Sequence, residues 1–286
     1  AVVISGGSDV LIKIRAGKLA GCRLVCIRNI PEMHGISIDK DGTICIRPAM
    51  TFTEVSENKI ILEHIPVLAY AVDQVGSPQI RNIGTIGGNI SNGVTSADSA
   101  STLCALNAEV EITGLSENGA DLAVRRVPIL EYYVKAGKVC LGPGEICTGI
   151  YIKKENYEGW RGYYFKYGKR NAMEIATLGC SVLAKLSKDL TTLEDIHLAY
   201  GVANPVPMRC FNAEKALRGQ KIDAALYEKI GQLVEEEIHP RDSWRASKDF
   251  RLHMAKVMPV RALEGIIENA KKGQKGGSNA KVGLIG

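Results

Sequence analysis

The sequence RNIGTIGGNI spans residues 81–90 and lies in the most glycine-rich part of the chain. Five glycines fall within 18 residues there, at positions 76, 84, 87, 88 and 93. Isoleucines at positions 80, 83, 86 and 90 accompany them, whereas a flexible linker would lack such apolar residues. The pattern therefore predicts a structured loop whose backbone N–H groups can approach an anionic ligand closely.

A second glycine-bearing loop, SGGSD at residues 5–9, follows a short apolar run at the start of the printed sequence. Residues 1–5 predict a buried strand, and Ser8 or Asp9 can cap a helix that begins near Val10. Taken singly, each glycine loop is also typical of an ordinary tight turn. Taken together, the two loops predict a pair of backbone cradles that hold a pyrophosphate between them.

Neither loop matches a Rossmann fingerprint, which requires G-x-G-x-x-G between a strand and a helix. The nearest match, GPGEIC at residues 142–147, contains proline, ends in cysteine and precedes a strand-like segment. The phosphate-binding pattern G-x-x-x-x-G-K-[ST] is also missing from the sequence. A dinucleotide bound by this chain would therefore be held by a different fold.

The 286 residues are enough for two domains or one large one. Apolar residues make up 45% and charged residues 23%, which is ordinary for a globular protein and excludes disordered and fibrous classes. Lysine and arginine number 36 against 31 acidic residues, and an excess of +5 is too small to predict nucleic-acid binding. No apolar run of about 18 residues predicts a membrane span, and the first residues lack the pattern of a signal peptide.

Eight cysteines are scattered through the sequence, and none forms a C-x-x-C pair. Iron–sulfur and structural zinc sites need clustered thiolates, so we expect no metal centre in this chain. Most of the cysteines have apolar neighbours, as in LVCIR (residues 24–28), and we expect buried, reduced thiols in a cytoplasmic protein. The five histidines lack ligand spacing and are expected to be structural or exposed.

Hydrophobic periodicity predicts a mixture of strands and helices, and the pattern changes at residues 153–159. Strands are expected at 22–27, 43–47, 110–113, 122–127 and 146–152, a turn at 116–120, and helical spacing over 53–75 interrupted at 64–66. Further along, strands are expected at 163–167, 176–186 and 197–202, and helices at 212–218, 224–238 and 247–270. Pro259 predicts a kink or a break in the last helix.

Four blocks of sequence occur in an order found in one family: VISGGSDVLIKIR (residues 3–15), SPQIRNIGTIGGNISNGVTSADSA (77–100), FKYGKRNAMEIATLGCS (165–181) and SWRASKDFRL (243–252). With them the chain resembles the FAD-binding medium subunits of the molybdenum hydroxylases, the family of xanthine and carbon monoxide dehydrogenases, from residue 1 to about residue 265. The likeness is strongest to the subunits of bacterial three-subunit xanthine dehydrogenases.

The resemblance implies a PCMH-type, non-Rossmann FAD-binding domain at residues 1–155, with two α+β subdomains that meet near residue 50. It also implies a smaller α+β domain at residues 160–270, with a small antiparallel sheet and helices, which closes over the flavin. Residues 271–286, rich in lysine and glycine, are expected to form a loose tail.

The resemblance further implies which residues surround a noncovalently bound FAD. Asp98 falls where the family places a carboxylate near the ribose and adenine, and Lys166 matches a lysine beside the flavin, where its charge would stabilise the anionic reduced ring. Arg170 is also expected near the flavin, four residues before Glu174, with which it can pair. Without the resemblance, the block that contains Lys166, Arg170 and Glu174 is more typical of a charged surface turn that joins two strands. The residues implied to bind the cofactor are Ile4, Ser5, Gly6, Gly7, Ser8, Asp9, Val10, Thr85, Gly87, Gly88, Asn89, Ser96, Asp98, Ile146, Cys147 and Lys166, with Ser99 as a weaker candidate.

Two aromatic groups have alternative roles. Trp244 is expected to pack at the start of the last helix, with a subunit contact as the alternative. Tyr163, Tyr164 and Tyr167 can cover a flavin face, although alternation along a strand would direct some of them into the core.

The resemblance implies that this chain passes electrons and does not bind the oxidised substrate. Electrons would come from the 2Fe-2S clusters of a small partner subunit, while a large partner subunit with molybdopterin hydroxylates xanthine or a related purine or N-heterocycle. FAD would pass the electrons to NAD or another acceptor, in a dimer of heterotrimers without nucleic acid. Two alternatives remain, a free-standing FAD-dependent oxidoreductase and a redox-inactive nucleotide-binding assembly module. The free-standing enzyme would need an acid or base over the flavin, and no histidine or carboxylate pair in the blocks suggests one.

Overall fold

The computed structural model describes residues 1–116, 119–170 and 172–273. The expected turn at 116–120 and the expected tail at 271–286 therefore lie partly outside the described residues, as does Asn171 of the third block. Among the described residues, no helix is both long enough and apolar enough to cross a membrane.

Strands and helices alternate irregularly along the described residues, and the prediction of an α+β fold is confirmed. The strands are β1 (Val2–Ile4), β2 (Leu24–Cys26), β3 (Ile36–Ile38), β4 (Ile44–Ile46), β5 (Glu109–Leu115), β6 (Leu122–Pro128), β7 (Tyr133–Lys135), β8 (Lys138–Val139), β9 (Ile146–Ile152), β10 (Arg161–Tyr167), β11 (Leu178–Leu186), β12 (Thr192–Gly201), β13 (Met208–Arg209) and β14 (Gln220–Lys221). The helices are α1 (Val10–Arg15), α2 (Phe52–Glu57), α3 (Lys59–His64), α4 (Pro66–Asp73), α5 (Pro78–Arg81), α6 (Ile86–Ser91), α7 (Asp98–Ala105), α8 (Ile129–Tyr132), α9 (Phe211–Leu217), α10 (Ala224–Glu237) and α11 (Lys248–Lys271), with 3-10 turns at Pro31–Met33 and Lys154–Asn156.

The N-terminal unit is a parallel pair, β1 and β2, joined through α1. Helix α1 begins at Val10 as predicted, although the side chain of Asp9 makes no capping hydrogen bond. All three residues of β2 are exposed, so the expectation that Cys26 is buried is wrong. Its apolar neighbours on the strand are exposed with it, and five other cysteines of the chain are buried as expected.

A five-stranded antiparallel sheet in the order β3-β4-β9-β5-β6 supports the next part of the chain. Because β3 and β4 pair into this sheet through β9, the predicted subdomain boundary near residue 50 does not coincide with a boundary between sheets. The helical stretch before the glycine loop divides into α2, α3 and α4, and the predicted interruption at 64–66 is confirmed. Pro66 occupies the first position of α4, where its missing N–H costs no hydrogen bond.

The second large sheet has the order β10-β11-β12-β13, with β14 paired to β12. Alternation along β10 sends Tyr163 into the core formed with the C-terminal helices, whereas Tyr164 joins the core of the N-terminal half. The face with Tyr164 packs on α4 and α7. A side chain at Gly162 would lie 2.7 Å from Val67 Cβ, so close packing of α4 on this sheet requires glycine there. The sheet therefore belongs to two cores at once.

Helix α11 closes the C-terminal half and runs without a break through Pro259, so of the kink or break predicted there the break is wrong and the kink stays a prediction. Ser247 caps it, because the serine hydroxyl accepts a hydrogen bond from Phe250 N. Trp244, just before the cap, is 77% exposed, and the expectation that it packs at the helix start is also wrong. Its indole instead lies beside Arg245 and Lys169, with cation-to-ring distances of 4.5 and 5.6 Å.

Candidate functional site

A cavity of about 620 Å³ lies where the two glycine loops meet. Its lining contains all but two of the predicted cofactor-binding residues: Ser5, Gly6, Gly7, Ser8, Asp9, Val10, Thr85, Gly87, Gly88, Asn89, Ser96, Asp98, Ile146 and Cys147. Ile4 and Lys166 lie outside the lining, as do Arg170 and Ser99. The fold thus brings together residues that are up to about 140 positions apart in the sequence, because β9 returns to the edge of the cavity beside α6.

The two glycine loops touch each other directly. Gly7 has a φ of +77°, a conformation that glycine adopts without strain. A side chain at Gly6 would overlap the carbonyl oxygen of Ile83 and lie 2.8 Å from Gly84 Cα. Glycine at position 6 is therefore required by the close approach of the two backbones.

Unused hydrogen-bond donors are concentrated in the first loop. Within the described part of the chain, no protein acceptor takes a hydrogen bond from the amide N–H groups of residues 6–10. Ser5 is one of the lining residues, and its buried Oγ has no hydrogen-bond partner among the residues that the structure describes. Lys13 also lines the cavity, and its Nζ donates to Asn92 Oδ1 at 2.7 Å. Free amides, a hydroxyl and a cation on one wall are the donors that a pyrophosphate requires.

The second glycine loop uses its amides internally. Thr85 accepts a hydrogen bond from Gly88 N at 3.3 Å through its side chain and from Asn89 N through its carbonyl oxygen. Gly87 N donates to the carbonyl oxygen of Pro48, and a Cβ at Gly87 would lie 2.7 Å from that oxygen. This loop therefore shapes the opposite wall of the cavity, whereas the first loop carries the free donors.

Asp98 is the buried acid of the site, and its carboxylate already has two partners. Lys166 Nζ donates to Asp98 Oδ2 at 2.8 Å, and Tyr164 Oη donates to Oδ1 at 2.8 Å. Lys166 also donates to the carbonyl oxygen of Gln74 at the end of α4. Burial raises the pKa of Asp98 above its ordinary value, while the Lys166 ammonium acts in the opposite direction. The structure thus gives Lys166 a place behind Asp98, and its contact with a flavin remains a prediction.

A third wall comes from the start of β9. Ile146 and Cys147 line the cavity as predicted, and burial raises the pKa of the Cys147 thiol to about 12, so this thiol is neutral at physiological pH. Glu145, which precedes them, also lines the cavity. It accepts hydrogen bonds from Arg125 Nε at 3.0 Å, Arg125 Nη2 at 2.8 Å and Gly142 N at 2.7 Å.

Residues 173–175 from the C-terminal half also line the cavity. Met173 N donates to the carbonyl oxygen of Gly76, which joins this segment to the N-terminal half. The predicted pair of Arg170 and Glu174 is confirmed, with Arg170 Nε 2.8 Å from Glu174 Oε2. This pair ties Glu174 of the lining to Arg170, which does not itself line the cavity.

Several lining residues were missed by sequence reasoning. Tyr163, Tyr164 and Tyr167, considered as covers for a flavin, do not line the cavity. A signal for part of the missed set exists in the sequence, since Val75 to Ile80 lead into the glycine loop and Glu145 belongs to the GPGEIC segment. The missed residues include Lys13, Pro48, Phe52, Val75, Gly76, Ser77, Ile80, Asn92, Val94, Leu141 and Glu145, whereas Met173, Glu174 and Ile175 belong to the third block, which the resemblance implies lies over the flavin.

Comparison with protein families identifies this arrangement. Residues 1–153 match the family described as FAD binding domain in molybdopterin dehydrogenase, and residues 163–266 match the CO dehydrogenase flavoprotein C-terminal domain. The chain belongs to the molybdopterin dehydrogenase flavoprotein family. The predicted resemblance is thereby confirmed, and the free donors of the first glycine loop fit the FAD of this family.

Relatives in this family match almost the whole chain. The xanthine dehydrogenase FAD-binding subunit of Escherichia coli O157:H7 is 37% identical over 94% of this chain and 90% of its own length. The carbon monoxide dehydrogenase medium chain of Afipia carboxidovorans is 31% identical over 94% of this chain and 89% of its own. The crystal structure of a cyanide-inactivated Cu,Mo-CO dehydrogenase contains a chain that superposes with a TM-score of 0.84, at 25% identity, over 93% of this chain and 89% of that one.

Proposed function

We propose that this chain is the flavoprotein subunit of a molybdenum hydroxylase of the xanthine dehydrogenase kind. The observation that carries the proposal is the cavity between the two glycine loops, with free amides at residues 6–10 and the unpartnered, buried Ser5 hydroxyl on one wall. When bound, FAD supplies reversible two-electron chemistry that links one-electron carriers to a two-electron acceptor. The chain itself has to bind the cofactor, exclude water from it and set its electrostatic surroundings.

Each wall of the cavity has a separate task in this proposal. The first loop and Lys13 hold the pyrophosphate through donors and positive charge, and the second loop provides a close, uncharged wall. Asp98 and Ser96 lie on the side assigned to the ribose and adenine. The backbone at Ile146 and Cys147 lies along the edge of the flavin ring. We divide the chain accordingly into an FAD-binding domain at 1–155 and a closing domain at 160–270.

Partner subunits complete the proposed enzyme. We infer that a small subunit carries the 2Fe-2S clusters, a large subunit carries molybdopterin and hydroxylates xanthine or a related N-heterocycle, and two such heterotrimers associate. The printed names of the relatives, an FAD-binding subunit and a medium chain, support an assembly of several chains. We also propose a cytoplasmic location, which agrees with eight cysteines that are all free thiols.

NAD is the proposed electron acceptor. The exposed indole of Trp244 has Lys169 and Arg245 beside it, and Arg245 is close enough to Glu174 of the lining to lower the pKa of that carboxyl. An aromatic surface flanked by cations suits a ligand that combines flat bases with phosphates. Its position beside Glu174, which feels the charge of Arg245, would leave the nicotinamide within reach of the cavity.

The test is the flavin content of the purified protein, measured by visible absorbance and by release of FAD on denaturation. We expect yellow protein with one noncovalent FAD per chain, and bleaching of its absorbance when NADH is added without oxygen. Ser5→Ala should weaken FAD binding about fivefold, because one hydrogen bond contributes about 1 kcal/mol. The matched control is Ser56→Ala, since Ser56 Oγ donates to Thr53 O outside the cavity.

The outcomes separate the alternatives. A colourless protein that binds adenine nucleotides without redox change would support an assembly module and contradict the proposal. Turnover of a substrate by the purified chain alone would support a free-standing oxidoreductase. Equal FAD affinity of the Ser5 and Ser56 variants would mean that the pyrophosphate is not held by the first loop.

A further inference from the structure

One ionised pair stands at the wall of the cavity where the start of β9 enters it. Glu145 lines the cavity, and both of its carboxylate oxygens receive a hydrogen bond from Arg125. Such a two-point contact between a guanidinium and a carboxylate fixes orientation as well as distance. Oε2 of Glu145 also accepts a hydrogen bond from Gly142 N, which closes the turn that leads into β9.

The surrounding strands hold this pair in place. Arg125 belongs to β6, where it stands opposite Ile112 of β5, and its Nη2 also donates to the carbonyl oxygen of Cys140. A side chain at Gly114 would lie 2.8 Å from Glu145 Cγ, so the glutamate lies directly on the backbone of β5. The carboxylate therefore has one defined position.

The two charges differ in their distance from the cavity. Glu145 is part of the lining, whereas Arg125 is not, and the side chain of Arg125 is 44% exposed against 24% for Glu145. Hydrogen bonds from Arg125 hold the pKa of Glu145 below its ordinary value, so the carboxylate remains ionised at neutral pH. The pair is thus a fixed dipole with its negative end towards the cavity.

We propose that the Arg125–Glu145 pair sets the midpoint potential of the FAD held in this cavity, with the carboxylate as the nearer and dominant charge. The inference rests on the proposed function, since it needs the flavin ring to lie along Ile146 and Cys147. The reduced, anionic flavin carries more negative charge than the oxidised form. A fixed carboxylate disfavours that added charge and lowers the potential, whereas Arg125 partly compensates it. The flavin then gives up its electrons to an acceptor more readily.

The experiment is a spectroelectrochemical titration of FAD in the full chain or the assembled complex. Glu145→Gln keeps the shape and an acceptor for Gly142 N, and we expect its midpoint potential to shift to a more positive value. Arg125→Gln leaves the carboxylate uncompensated, and a smaller shift to a more negative value is expected. The double variant should lie between the two single variants. Opposite signs are diagnostic, because loosening of the turn would affect both single variants in the same way.

Arg126→Gln is the matched control, since Arg126 neighbours Arg125 but pairs with Glu111 and lies over the Tyr151 ring. Neither Glu111 nor Tyr151 lines the cavity. The midpoint potential of FAD in the Arg126→Gln variant should therefore equal that in the wild type. If the Arg125→Gln variant does not retain FAD, the Arg125→Lys variant replaces it. Lysine preserves the positive charge, so we expect this variant to keep the wild-type midpoint potential. The midpoint potential of the Glu145→Gln variant should still shift. Shifts of the same sign, or unchanged potentials with FAD retained, overturn the inference. A wild-type chain without FAD would instead contradict the proposed function.

Discussion

His197 gives the most quantitative prediction, because its ring joins the two halves of the molecule. It lies on β12, its Nδ1 is 2.6 Å from the carbonyl oxygen of Ala105 at the end of α7, and its ring is 4.1 Å from that of Trp160. Burial, assisted by the positive charge of Arg209, lowers the pKa of His197 from 6.5 to about 4. The folded protein therefore keeps this histidine neutral under conditions in which the unfolded chain protonates it.

The sign and size of the effect follow from linkage. Above pH 6.5 both states are neutral and the folded state has its full stability. As the pH falls below 6.5, His197 becomes protonated in the unfolded chain, whereas in the folded protein it stays neutral down to about pH 4. The free energy of unfolding therefore decreases between pH 6.5 and pH 4. A difference of 2.5 units corresponds to about 3 kcal/mol in total, of which about 2 kcal/mol falls between pH 7 and pH 5.

The assay is urea unfolding at pH 7 and pH 5 for the wild type and for His197→Gln, whose amide N–H can still donate to Ala105 O. Between pH 7 and pH 5, the free energy of unfolding of the wild type should fall by about 2 kcal/mol more than that of the His197→Gln variant. His253→Gln, an exposed position on α11, serves as the control and should follow the wild type. An equal loss in the His197 variant would refute the argument that a neutral, buried ring joins the halves.

Two further predictions concern the walls of the cavity. Gly6→Ala should abolish FAD binding and lower the free energy of unfolding by about 1–3 kcal/mol, because the new methyl group overlaps the carbonyl oxygen of Ile83. Retention of FAD by this variant, measured by absorbance, would contradict the contact between the two loops. Tyr164→Phe should lower the free energy of unfolding in urea by about 2 kcal/mol, since it removes a hydrogen bond to the carboxylate of Asp98. Tyr163→Phe, on the opposite face of β10, should lower it much less. Equal losses in the two variants would contradict this prediction.

Local features of the fold were predictable because neighbouring residues determine them. The start of α1 at Val10, the interruption before Pro66 and the pair of Arg170 and Glu174 all depend on residues at most a few positions apart. The meeting of the two glycine loops was also predictable in outline, from their composition and from the family resemblance. Composition could not predict which loop keeps its N–H donors free. In the second loop the amides of Gly87, Gly88 and Asn89 already donate to Pro48 and Thr85.

Long-range pairs were not predictable from local pattern. Asp98 and Lys166 are 68 positions apart, and each alone is typical of several roles, so only the register of β10 against α7 reveals that they neutralise each other. Glu145 was overlooked for the same reason, because its partner Arg125 lies 20 positions away on β6. The prediction that Cys26 is buried was wrong for a different reason. Apolar neighbours in the sequence indicate burial only where a further layer of the structure covers the strand.

The contacts of Asp98 join the two halves of the chain at the wall of the cavity. A carboxylate removed from water is strongly unfavourable unless ionic and hydrogen-bonded partners surround it. Here both side-chain partners, Tyr164 and Lys166, come from β10 of the C-terminal half, whereas Asp98 begins α7 of the N-terminal half. Without β10, the acid on the cavity wall would lose its counter-charge and be held only by its own helix. The C-terminal domain therefore does more than contribute residues 173–175 to the lining, because it neutralises a charge that the wall of the cavity already contains.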